Sequence, residues 1–141
     1  MEIIIYRLED VQGHGPYALV PPQFKDQCST YMEIVDPEIK ACSVNRYPEE
    51  QPTAWSEGGE IEIVFEEDVH YFGFASLEQY RAWMFKPEWR KGLAELGVLL
   101  NKYLVEDAAV VVSPHQAIFK KARAKLVESC RPDDARIIEC D

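Results

Sequence analysis

Apolar and polar positions along the chain change period several times, and each change predicts an element. Residues 2–8 form an isoleucine-rich run ending in Tyr6-Arg7-Leu8, which has the length and β-branched content of a buried strand. Glu9 and Asp10 close it. Residues 24–35 carry a helical spacing (Phe24, Cys28, Tyr31, Met32, Val35) that ends at Asp36-Pro37. Residues 36–59 read as a long acidic loop punctuated by Pro37, Pro48, Pro52 and Gly58-Gly59. Glu60-Ile61-Glu62-Ile63-Val64-Phe65 alternates and then turns apolar, which predicts a strand. Glu66-Glu67-Asp68 reads as a solvated turn, and Val69–Phe74 as a second strand able to pair with the first as a hairpin.

The aromatic strand then runs into a capped helix over about 76–85. Ser76 is the natural N-cap, and Gln79 stands where it can reach back to the Ser76 N–H. Pro87 suits the first turn of a second helix, about 87–96. Its apolar face is Trp89, Leu93 and Leu96, its exposed bases are Arg90 and Lys91, and its stop is Gly97. Strand signals follow at 98–105, 108–112 and 116–119. Residues 120–128 fit either a helix or an edge strand, and a polar tail begins at Arg131 with a short strand signal at Ile137-Ile138. The expectation is an α+β fold with a mostly antiparallel twisted sheet, forming a single domain over residues 1–141.

Composition narrows the class. The chain has 141 residues, 47% of them hydrophobic, which is enough for a real core and argues against disorder. No apolar run approaches the roughly 20 residues of a membrane helix. The start, Met1-Glu2-Ile3-Ile4-Ile5, lacks the basic residues and long apolar core of a signal peptide, so a cytoplasmic location is expected in whatever cell makes the protein. Cys28, Cys42, Cys130 and Cys140 form no Cys-x-x-Cys pair, and His14, His70 and His115 are scattered. Free thiols and no metal site are the expectation.

Charge changes the picture most. The formal net charge is −10, and residues 51–76 carry six acids and no base. A surface of this kind is repelled by phosphate backbones and drawn to basic surfaces, including those that hold nucleic acid. The chain contains no P-loop, no Gly-x-Gly-x-x-Gly after a strand, no Gly-x-Ser-x-Gly and no His-Glu-x-x-His. Gly13-His14-Gly15 and Ser113-Pro114-His115 read as turns.

Five short stretches belong together: Tyr6-Arg7-Leu8-Glu9; Gly13-x-Gly15-Pro16-Tyr17; Phe72-Gly73-Phe74-x-Ser76-Leu77-Glu78-Gln79; Tyr103 before an apolar run; and Gln116-x-x-Phe119. With them the chain resembles a group of small proteins common in phages and prophages. The resemblance implies a mobile-element origin and, for a small acidic protein, action against host machinery such as restriction or CRISPR systems. On that reading the protein uses no cofactor. It occupies a basic groove on a host protein or nucleoprotein complex as a partial nucleic-acid mimic, without binding nucleic acid or membrane itself. The residues expected to make this face are Glu57, Glu60, Glu62, Glu66, Glu67 and Asp68, with Trp55 as anchor. Trp83, Phe85 and Trp89 offer an apolar patch for homodimerisation.

The order of elements also resembles the ADP-ribosyltransferase fold. That family uses an arginine on the first strand, a serine on a middle strand, and a glutamate that holds the nicotinamide ribose. The resemblance implies Arg7 and Ser76 as catalytic residues, Gln116 where the glutamate is expected, and NAD as cofactor. Gln116 departs from the pattern. An amide hydrogen-bonds a ribose hydroxyl but brings no negative charge and no base.

Overall fold

The computed structural model describes residues 1–16, 30–38, 47, 49–52, 58–66 and 69–134. Among these, strand β1 is Glu2–Glu9, helix α1 is Tyr31–Val35, α2 is Gly59–Val64 and β2 is His70–Gly73. Helices α3 (Leu77–Trp83) and α4 (Pro87–Glu95) follow. The chain then runs through strands β3 (Leu99–Glu106), β4 (Val110–Val112), β5 (Ala117–Lys120) and β6 (Ala124–Cys130). The fold is α+β, as expected. It has two three-stranded antiparallel sheets, in the orders β1-β3-β6 and β2-β5-β4.

The two sheets meet at one bridge. Tyr6 and Phe74 exchange both backbone hydrogen bonds, at 2.8 and 2.7 Å. The approach is so close that Gly73 has no room for a side chain. A Cβ there would lie 2.6 Å from the Tyr6 carbonyl oxygen and 2.7 Å from Ile5 Cγ2.

Alternation along β1 sends side chains to two cores. Ile5 packs between the sheets with Tyr103, Val105, Ala117 and Phe119. Leu8 faces a second core with Leu100, Tyr80, Trp89 and Leu93, covered by α1, α3 and α4. Helices α1 and α4 press together where a Cβ on Gly92 would fall 2.7 Å from Val35 Cγ1.

Several expectations are met. Ser76 caps α3, Pro87 opens α4, and Gly97 stops it with φ at +89°. The capping box differs in detail: Gln79 Oε1 accepts from the Ala75 N–H, not from that of Ser76. The ambiguous stretch 120–128 resolves as a 3₁₀ turn followed by edge strand β6.

Others are corrected. Residues 60–65 are not a strand, and no hairpin forms with β2, which pairs instead with β5. Ile61, Val64 and Phe65 fall at i, i+3 and i+4, a helical stripe concealed within the apparent alternation. Packing against β4 selects the helix. The predicted helix from 24 begins at Tyr31. Thr30 is extended, and its hydroxyl accepts from Glu33 N–H as an N-cap; residues 24–29 lie outside the described residues. The long loop is interrupted, since Pro37 and Glu38 are helical and α2 opens at Gly59. Arg90 is buried, not exposed, and Trp89 is wholly in the core. The dimer patch is therefore reduced to Phe85 and half-buried Trp83. The strand signal at Ile137-Ile138 and the thiols of Cys28, Cys42 and Cys140 lie outside the described residues.

Candidate functional site

The acidic face is built on α2. Gly58 and Gly59 adopt φ of +69° and +61°, a left-handed entry that side chains disfavour. The helix then turns Ile61 fully inward. At roughly 100° per residue, Glu60 and Glu62 flank Ile61 on either side, and Ile63 stands at the outward crest. Both glutamates are exposed, and Ile63 is 84% exposed. Glu66, just beyond the helix, is exposed as well. Among the described residues no base pairs with these three acids. Trp55, Glu57, Glu67 and Asp68 lie outside the described residues.

A second charged cluster sits at the far end of β1. Alternation puts Arg7 and Glu9 on one face, and the β1–β3 register sets Asn101 opposite Arg7 and Tyr103 opposite Ile5. Glu9 is only 2% exposed, yet both its oxygens are occupied. Oε2 accepts from Arg7 Nε at 2.9 Å and from Lys121 Nζ at 2.8 Å. Oε1 accepts from Asn101 Nδ2 at 2.7 Å and from the Tyr103 hydroxyl. Arg7 is itself held by the Phe72 carbonyl at 2.8 Å, and its guanidinium lies 4.8 Å from the Tyr71 ring centre.

The Gly13-His14-Gly15 loop covers the cluster. Asp10 organises it, accepting from the Gln12 and His14 backbone N–H groups, each at 2.9 Å, and from the Tyr31 hydroxyl at 2.7 Å.

Burial by itself would raise the Glu9 pKa. Hydrogen bonds from Lys121, Tyr103 and Asn101 and the charge of Arg7 outweigh it and hold the carboxyl below its ordinary value. Asp10 is likewise lowered, its burial outweighed by Tyr31 and the two backbone donors. Burial and the Glu9 charge push the Tyr103 hydroxyl up. An ionised carboxylate with four donors and a phenol this weakly acidic hold structure together. Neither is tuned for proton transfer near neutral pH.

The three residues implied by the ADP-ribosyltransferase resemblance each have separate partners. Arg7 belongs to the Glu9 cluster. Ser76 Oγ accepts from Gln79 N–H at 3.1 Å and borders an open depression with Ile4, Tyr6 and Arg81, on the β1 face opposite Arg7. Gln116 is buried and donates to the Pro52 carbonyl at 2.8 Å. Among the described residues no hydrogen bond joins any two of the three. Sequence reasoning took Glu9 as a strand terminator and missed Asn101, Tyr103 and Lys121. Its one available signal was an acid two positions after Arg7, hence on the same strand face.

These features define a small α+β protein with a carboxylate locked between its strands and an uncompensated acidic helix on its surface. Residues 1–133 match the model of the Bacteriophage T4 Y00F protein family, and the chain belongs to that family. A phage protein family is what the five short stretches implied. No curated protein and no solved structure matches the chain, so the ADP-ribosyltransferase resemblance gains no support from them.

Proposed function

We propose that this phage protein acts by binding, docking its acidic segment into a basic groove on a host nucleic-acid-handling or defence complex as a partial nucleic-acid mimic. One observation carries the reading: the acids of residues 51–76 have no base within their own segment, and several cations elsewhere are engaged with other acids. Arg7 and Lys121 are tied to Glu9, Arg123 to Glu106, and Arg131 to Asp133. The α2 face thus keeps its charge for an outside partner. Ile63 at its crest supplies an apolar contact ringed by acids, the arrangement of an anchor within a charged rim. Contacts of this kind steer encounter and are screened by salt.

The test is capture from a bacterial host lysate at low and high salt, with the Glu60→Lys, Glu62→Lys double variant in parallel. The expected result is a nucleic-acid-binding complex that is retained at low salt, released at high salt and not captured by the double variant. A partner held equally at both salts, or held equally by the double variant, would overturn the mimic reading.

A further inference from the structure

Among the described residues, Arg90 carries a buried side-chain nitrogen without a hydrogen-bond partner. It lies on α4 between the core residues Trp89 and Leu93, and it is 6% exposed. Its Nε is completely buried with no hydrogen-bond partner. Among the described residues no ion pair or hydrogen bond holds the rest of the guanidinium. An arginine does not lose its proton when buried, so it cannot escape the cost of desolvation by becoming neutral. A buried, unpaired cation carries a large desolvation penalty, which an anion paired with it would offset.

The surroundings indicate what is missing. Arg90 stands near Tyr80 on α3, close enough for its charge to oppose the upward push of burial on that hydroxyl. The Tyr80 hydroxyl is already committed, donating to the Pro132 carbonyl at 2.7 Å. Asp133, an acid whose charge reaches Tyr80, is engaged in a two-point pair with Arg131, at 2.9 and 3.2 Å. Neither the Tyr80 hydroxyl nor the Asp133 carboxylate is hydrogen-bonded to Arg90. Its fork of N–H donors matches a planar or tetrahedral group bearing two or more oxygens.

We propose that Arg90 is the anchor of a small oxyanion site, taking a carboxylate or phosphate group where α3, α4 and the end of β6 meet. This site is distinct from the α2 face, and its charge preference is the opposite one.

The test uses the full chain labelled with ¹⁵N. The Arg90 Nε–H resonance is identified by its absence in Arg90→Lys, then followed while sodium acetate or sodium phosphate replaces chloride at constant ionic strength. The expected result is a saturable shift of this resonance. The unfolding midpoint should rise with it by about 5 °C at tenfold above the dissociation constant. In Arg90→Met the rise disappears, and its midpoint without added anion equals or exceeds that of the parent.

A response to acetate alone assigns a carboxylate, a response to phosphate alone assigns a phosphate group, and either supports the site. A resonance unmoved by both anions overturns the proposal. So does one that moves in Asp133→Asn without added anion, since Asp133 would then be the internal partner. The resonance is read on the unmodified chain, so the proposal stays open to refutation even if Arg90→Met does not fold.

Discussion

Glu9 and the glutamates of α2 are the same side chain used in opposite ways. Glu9 is buried, and its two oxygens meet two cations, an amide and a phenol. Glu60 and Glu62 are exposed and meet no base among the described residues. Net charge counts all three alike. What separates them is whether the chain brings its own cations to the carboxylate. Where it does, the charge becomes part of the fold and is invisible from outside. Where it does not, the charge is a field that a partner can read. Arg90 is the third case, buried like Glu9 and, among the described residues, unpaired like Glu60.

The largest expected effect comes from removing Glu9. Glu9→Ala leaves Arg7, Lys121 and the Tyr103 hydroxyl facing one another without an acceptor, and should cost about 3–5 kcal/mol of unfolding free energy in urea titrations. A loss under about 1 kcal/mol would mean that the cluster is no better paired than the α2 surface. Next comes the junction that holds the cluster's arginine. Gly73→Ala forces a methyl against the Tyr6 carbonyl and Ile5, and should cost about 2–3 kcal/mol by the same measurement. Tyr103→Phe removes one donor and keeps the charge pairs, so a loss of about 1–2 kcal/mol is expected.

Acid sharpens the contrast further. Glu9 and Asp10 have folded-state pKa values below their ordinary 4.5 and 3.8. Their contribution is therefore complete above those ordinary values and is lost as pH falls through the depressed folded ones. Stability measured from pH 7 down to pH 3 should hold until about pH 4.5 and then decline. In Glu9→Gln the decline should be shallower, because Glu9 no longer contributes to it. An equal slope in both proteins would remove Glu9 from the account.

The smallest stability effect belongs to α2. Glu60→Gln, Glu62→Gln and Ile63→Ser should each stay within about 0.5 kcal/mol of the parent, because these side chains are exposed. Each should nevertheless weaken capture of the partner proposed above. A variant that loses stability and keeps capture would invert the comparison between the two regions.

Sequence alone determined a good deal of this protein. The isoleucine run of β1, the Ser76 cap, Pro87 and Gly97 are local signals whose physics acts within a few residues, and they placed the first strand and the two consecutive helices. The five short stretches also pointed to a phage family. Only the tertiary structure decided the rest. Ile61, Ile63 and Phe65 fit a strand period while Ile61, Val64 and Phe65 fit a helical one, and contact with β4 chose between them. Arg90 reads as a surface base until the fold buries it near Tyr80. Glu9 reads as the end of a strand until Asn101, Tyr103 and Lys121 arrive from 92 to 112 residues away. Charge is written into the sequence residue by residue, but its partners and its burial exist only once distant segments meet.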